Sequence, residues 1–91
     1  MHQEGKPASN DAQDTRDQRA AYCHIMECQP ATLRVSDLIR ELAGGDDFAH
    51  RDRVERAIHE LTNAGLLFRH GGAVLPTRAA TRAYELLVEA A

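Results

Sequence analysis

Residues 63–77 read NAGLLFRHGGAVLPT. An amphipathic helical run ends at Asn63 and Ala64, and Gly65 follows where a left-handed helix cap belongs. The apolar runs LLFRH and AVLPT then flank Gly71 and Gly72. Two short apolar runs around a Gly-Gly dipeptide are the signal of a β-hairpin. Thr77 is placed to cap a further helix. The stretch therefore predicts helix, hairpin, helix within a few residues of one another.

Outward from it, HRDRVERAIHELTNA (50–64) is the best helical pattern in the chain. Val54, Ala57, Ile58 and Leu61 make one apolar stripe, and Asp52, Arg56, His59 and Asn63 lie opposite. SDLIRELA (36–43) predicts a two-turn helix with Ser36 as N-cap, Asp37 in the first turn and Leu38, Ile39 and Leu42 inward. Gly44 and Gly45 end it. In the connector GGDDFAH (44–50), Phe48 is the expected core anchor. ATLRV (31–35) predicts a short extended piece. An earlier helix runs from about Thr15 to Gln29, with Ala21, Ile25 and Cys28 at helical spacing, until Pro30 stops it. TRAATRAYELLVEA (77–90) predicts a last helix with Ala79 or Ala80, Ala83, Leu86 and Leu87 on its apolar face. Residues 1–15 are polar and nearly free of apolar side chains, which predicts a disordered tail. The domain then spans 16–91.

Ninety-one residues suit one domain. Aromatics are 4% of the chain and Trp is absent. The core must therefore be aliphatic, which suits packed helices. The fold class expected is mainly α with a small β-hairpin, in the order helix, strand, helix, helix, hairpin, helix. Net charge is −3, and a nucleic-acid binder usually carries a basic excess. Much of the deficit sits in the first eighteen residues. Residues 19–91 hold nine Arg against ten acids, and the single Lys is Lys6. Arg suits two-pronged contacts with phosphate or guanine; a GC-rich genome explains the same bias without any function. Cys23 and Cys28, five apart in a helical pattern, are poorly placed for a disulfide. With no signal peptide and no membrane-length apolar run, a cytoplasmic protein with reduced thiols is expected.

VSDLIREL, VERAIHELTNAGLL and FRHGGAVLPT together resemble the second helix, third helix and wing of the winged helix-turn-helix family. The resemblance covers about residues 18–91. Small bacterial regulators of the multiple-antibiotic-resistance and arsenic-repressor types are the nearest classes. It implies that the short strand before the second helix pairs with the hairpin. It also implies a transcriptional regulator that binds double-stranded DNA, with the third helix in the major groove and the hairpin on the backbone or minor groove. The chain departs from the family in GGDDFAH, which is longer than the usual tight turn.

Carried over residue by residue, the groove-facing set is His50, Arg51, Arg53, Arg56, His59 and Asn63. Arg69 and His70 stand beside the wing tip for phosphate. Thr32, Arg34 and Ser36 stand at the entry to the second helix, where hydroxyls and cations hold phosphate. A plainer reading explains the same residues. Asp52, Glu55 and Glu60 balance the arginines of the third helix, and Arg51 with Glu55 and Arg56 with Glu60 have ion-pair spacing. Fold alone does not decide function, so the alternative is a winged-helix module that binds protein. The Asp46 and Asp47 pair favours that alternative, because it would repel phosphate.

His24 and Cys28 share a helix face and are competent zinc or copper ligands. Two ligands make no site, and Cys28 packing as a small hydrophobe is the simpler reading; neither a metal nor a cofactor is expected. No nucleophile turn, phosphate loop or apolar carboxylate pair appears, so catalysis is not expected either. A DNA-reading helix-turn-helix usually dimerises. Leu86, Leu87 and Ala90, with Tyr84 and Val88 beside them and Tyr22 and Met26 on the first helix, point to a homodimer through the first and last helices.

Overall fold

A computed structural model describes residues 5–44 and 48–90, with side chains over 11–44 and 48–88. Four helices and three strands follow in the order α1 (Gly5–Glu27), β1 (Leu33–Arg34), α2 (Val35–Leu42), α3 (Phe48–Asn63), β2 (Leu67–His70), β3 (Ala73–Pro76) and α4 (Arg78–Ala90). The protein is mainly helical with one small antiparallel sheet of order β1-β3-β2. The expected Asp46 and Asp47 pair lies outside the described residues.

The stripe predicted for α3 is the one buried, whereas of the apolar face expected on α4 only Ala80 is buried and Ala83, Leu86 and Leu87 are exposed, because that helix meets the body of the protein mainly through its first turn and Tyr84. Val54, Ala57, Ile58 and Leu61 of α3 meet Ala21 and Ile25 of α1 and Leu38 of α2 in one cluster. Leu67 and Val74 close it from the sheet. Ile25, Leu38 and Ile58 are fully sealed, and a sealed aliphatic side chain contributes about 1.5–3 kcal/mol of transfer free energy. Phe48 is not part of this core. It is 80% exposed at the first turn of α3, because the core-facing stripe of that helix begins at Val54.

Backbone capping fixes how α3 leads into the hairpin. Leu66 N–H donates to the Leu61 carbonyl at 3.0 Å and Gly65 N–H to Thr62 at 3.0 Å. These are the two bonds of a Schellman end, with Gly65 at its left-handed position. Strands β2 and β3 pair from Leu67 with Pro76 to His70 with Ala73. Gly71 and Gly72 make the turn. Gly71 has φ +62° and Gly72 a φ outside the positive region, the sign pattern of a type II′ hairpin turn. β1 adds to the other edge of β3, Leu33 opposite Val74 and Arg34 opposite Ala73.

Thr77 then starts α4. Its hydroxyl accepts from Ala80 N–H at 3.1 Å and donates to the Gly65 carbonyl at 2.8 Å. Its N–H donates to Leu66 at 3.0 Å. The two chain ends that flank the hairpin are thereby clasped together. Ala80 is sealed, and the Tyr22 hydroxyl donates to its carbonyl at 2.6 Å. The rings of Tyr22 and Tyr84 meet edge to face at 6.1 Å. Beyond Tyr84, Leu86, Leu87 and Val88 are all at least half exposed.

Two boundaries differ from expectation. Helix α2 begins at Val35, with Arg34 as its N-cap residue, and Ser36 lies inside the first turn. The cause is Asp37, whose carboxylate accepts from Arg34 N–H at 3.0 Å and holds the turn one step earlier. That bond also draws the Asp37 carboxyl below its ordinary value. Helix α1 begins at Gly5, ten residues before the predicted start. Its added turns carry Asp14, which pairs with Arg56 of α3.

Candidate nucleic-acid interface

The residues expected to face DNA divide into three groups. The first is turned inward. Arg53 donates from Nε to Asp17 Oδ2 at 3.1 Å and from Nη2 to Asp17 Oδ1 at 2.9 Å. A two-pronged arginine–carboxylate pair is the strongest geometry such groups adopt. The Arg53 hydrogen bonds hold the Asp17 carboxyl below its ordinary value against the opposing effect of burial. Gln13 Nε2 also donates to Asp17 at 2.9 Å. His50, half buried, lines the same small hollow as Asp17 and Arg53. Arg53 and His50 therefore face α1, and their expected place in a groove-reading set is corrected. The reason is helical phase: residues 50, 53, 54 and 57 share the side of α3 that packs on α1.

The second group is exposed on α3 but surrounded by acids. Arg56 pairs with Asp52 at 3.2 Å and with Asp14 of α1 at 3.5 Å. The expected pairing of Arg56 with Glu60 does not form among the described residues, and neither does Arg51 with Glu55. Arg51 is exposed and makes no ion pair with a described residue. Asn63 Nδ2 lies 3.2 Å from His59 Nε2 and donates to it when that nitrogen is bare. Asp52, Glu55 and Glu60 are exposed on the same helix. Its outward face is thus mixed in charge.

The third group sits on the sheet. Arg34 and His70 lie opposite Ala73 from its two sides, so all three side chains share one face of the pleat. The Arg34 guanidinium lies over Gly72, where its Nη2 is 2.5 Å from the place a Cβ would occupy. Val35 N–H donates to the Gly72 carbonyl at 3.2 Å, which locks β1 to the hairpin tip. Arg69 is one residue before His70, and Arg34, Arg69 and His70 are all exposed. None of the three strands carries an acid. Thr32 and Ser36, flanking β1, are also exposed.

Sequence reasoning missed Asp14 and Asp17, which decide how much of α3 is free. They lie three residues apart on one helix face. That spacing was the available signal, but the stretch before Thr15 has too few apolar residues to mark the helix that carries Asp14. His24 and Cys28 do meet, Sγ to Nε2 at 3.8 Å. No third His, Cys, Asp or Glu joins them in a metal-holding group among the described residues. No described helix is long and apolar enough to cross a membrane. Comparison with known proteins finds no matching family model, no matching curated protein and no matching solved structure.

Proposed function

We propose that this chain is a cytoplasmic winged helix-turn-helix regulator that binds double-stranded DNA through its sheet and the exposed side of α3. The observation that carries the reading is a corner of the sheet whose strands carry Arg34, Arg69 and His70 and no acid, in a chain of net charge −3; Arg69 lies on the opposite face from the other two, and Asp37 stands at its edge. A polyanion is the partner such a corner selects, because each phosphate neutralised releases condensed counterions. The β1-β3-β2 order supports the same reading, since β1 braces the hairpin against the start of α2.

In this reading the sheet grips and α3 reads. Arg34 and Arg69 hold backbone phosphates on the two sides of the hairpin tip, with Thr32 and Ser36 as hydroxyl donors beside them. Arg51, His59 and Asn63 are the α3 residues that reach base edges. Arg56 joins them only by leaving Asp52 and Asp14. The regulator works as a homodimer. Ala79, Ala83 and Leu86 form an exposed face of α4 with two small residues, which lets a second α4 approach closely. Met26 is buried and Tyr22 is bonded within the chain, so the first helix offers less to a partner than its sequence suggests.

The test is titration of random-sequence duplex against salt concentration. Arg34→Ala and Arg69→Ala are each expected to lower affinity for all sequences and to flatten the salt slope by about one unit. Arg53→Ala is expected to lower stability instead. Absence of binding at low salt for the wild-type chain overturns the DNA reading. The second reading, a protein-binding module, is favoured by one observation, the mixed charge of the outward face of α3.

A further inference from the structure

Helices α1 and α4 touch at Tyr22 and Tyr84 and border a groove of about 530 Å³. Its α4 wall is Tyr84, Leu87 and Val88, and its floor is Leu61 and Leu66 from the end of α3 and the start of the hairpin. The α1 wall presents Tyr22 and Cys23, with Thr15, Gln18 and Arg19 along the rim. The groove is open to solvent, and its volume falls in the range of sites that hold small organic molecules, which are mostly apolar with a few placed polar groups.

The polar groups here are few and of one kind. The Tyr22 hydroxyl is already bonded to Ala80. Among the described residues Arg19 is the one charged residue in the lining, and no described acid accompanies it. It is exposed and makes no ion pair with any described residue. The arginines on the neighbouring faces differ: Arg16 donates to Gln13, Arg53 is held by Asp17 and Arg56 by Asp14. An apolar trough with one uncompensated guanidinium at its edge complements an apolar body that ends in one negative charge.

We propose that the groove between α1 and α4 binds a small organic acid, an aliphatic or aromatic body with a single carboxylate, with Arg19 pairing the carboxylate. The body lies against Leu66, Tyr84, Leu87 and Val88. This site does not rest on the DNA reading, and it uses a different face of α4 from the Ala79, Ala83 and Leu86 face assigned to the dimer.

The chain supplies its own reporters. It has no Trp and two tyrosines, and both tyrosines line the groove. Of the two cysteines, Cys23 lines it and Cys28 does not. Decanoate, decanol and decylammonium share one apolar body and differ in charge. In the full chain carrying Cys28→Ala, decanoate is expected to change tyrosine emission saturably and to slow alkylation of Cys23 over the same concentration range. Decanol should bind at least about tenfold more weakly, the size expected for one lost charge-assisted contact, and decylammonium more weakly still. Arg19→Gln, at an exposed position, should bring decanoate to the level of decanol and leave decanol unchanged. Equal binding of decanoate and decanol overturns the assignment, and so does absence of saturation. Protection of Cys23 that rises with protein concentration and ignores decanoate also overturns it, because a second copy then fills the groove.

Discussion

Asp17 holds Arg53 across two helices at a sequence separation of 36 residues, and its effect on stability has a definite pH signature. Its folded carboxyl lies below the ordinary value of 3.8. Its contribution is therefore complete above that value and fades as pH falls through the lower folded value. Asp17→Asn should cost about 1 kcal/mol near neutral pH, a modest figure because the Arg53 side chain is 41% exposed. Urea midpoints of the two proteins should differ by a constant amount near neutrality and converge below about pH 3.8. Gly72 bears on a different property. Ala at this position meets the guanidinium of Arg34, a flexible group that can move aside. Gly72→Ala should leave the melting temperature nearly unchanged and weaken duplex binding, measured in the same salt titration, because Arg34 is displaced. These are the residues that sequence alone conveys least. Local periodicity marks Ile58 or Leu61 as buried, but an ion pair between distant helices has no local signature. Asp14 lies in the polar stretch that predicts a tail, and Asp17 lies in the predicted helix with nothing local to mark its partner. Phe48 errs in the other direction: a lone aromatic suggests an anchor, yet its position precedes the buried stripe of α3.

Among elements, the hairpin and α3 were legible because their signals are contained within a few residues. The Gly-Gly dipeptide, the apolar runs beside it and the 3.6-residue stripe each specify structure without reference to the rest of the chain. The start of α2 was less legible, since Ser36 and Asp37 are both capping residues and only the three-dimensional course of β1 selects Asp37. Helix α4 shows an element held by few contacts. Its first turn is fixed by Thr77 and Ala80, and Tyr22 with Tyr84 provide the next close contact described. Thr77→Ala removes the cap bond and the bond to Gly65 together, and should cost about 1–2 kcal/mol. Hydrogen exchange should report the loss first at the amides of α4, with α3 still protected. Equal loss of protection in α3 would refute this ordering.

At the scale of the whole molecule, charge is sorted even though its total is small. Acids of α1 face arginines of α3, and the strands of the sheet carry basic residues and no acid, with Asp37 of α2 at their edge. Composition conveyed the net charge of −3 but could not convey this partition, which depends on which helix packs on which. The candidate interface was therefore half legible: Arg34 and His70 are exposed on one face of the sheet and Arg69 on the other, while Arg53 and His50 are turned to α1. The proposed dimer is likewise a property of the assembled surface. Light scattering at micromolar concentration should give twice the mass of one chain, and Leu86→Asp should return it to the monomer. A monomeric wild-type chain removes the dimer from the model of function and leaves the sheet assignment intact.

The clasp at Thr77 has a mechanical consequence. It anchors α4 at one end, and the described contacts stop at Tyr84, so the helix is a lever with its pivot beside Gly65. Thirteen residues make an arm about 20 Å long at the helical rise. A rotation of roughly ten degrees at the pivot carries the far tip through about 3 Å by that geometry. A change too small to disturb the core at Ala80 is thus amplified into a displacement as wide as a side chain at Val88.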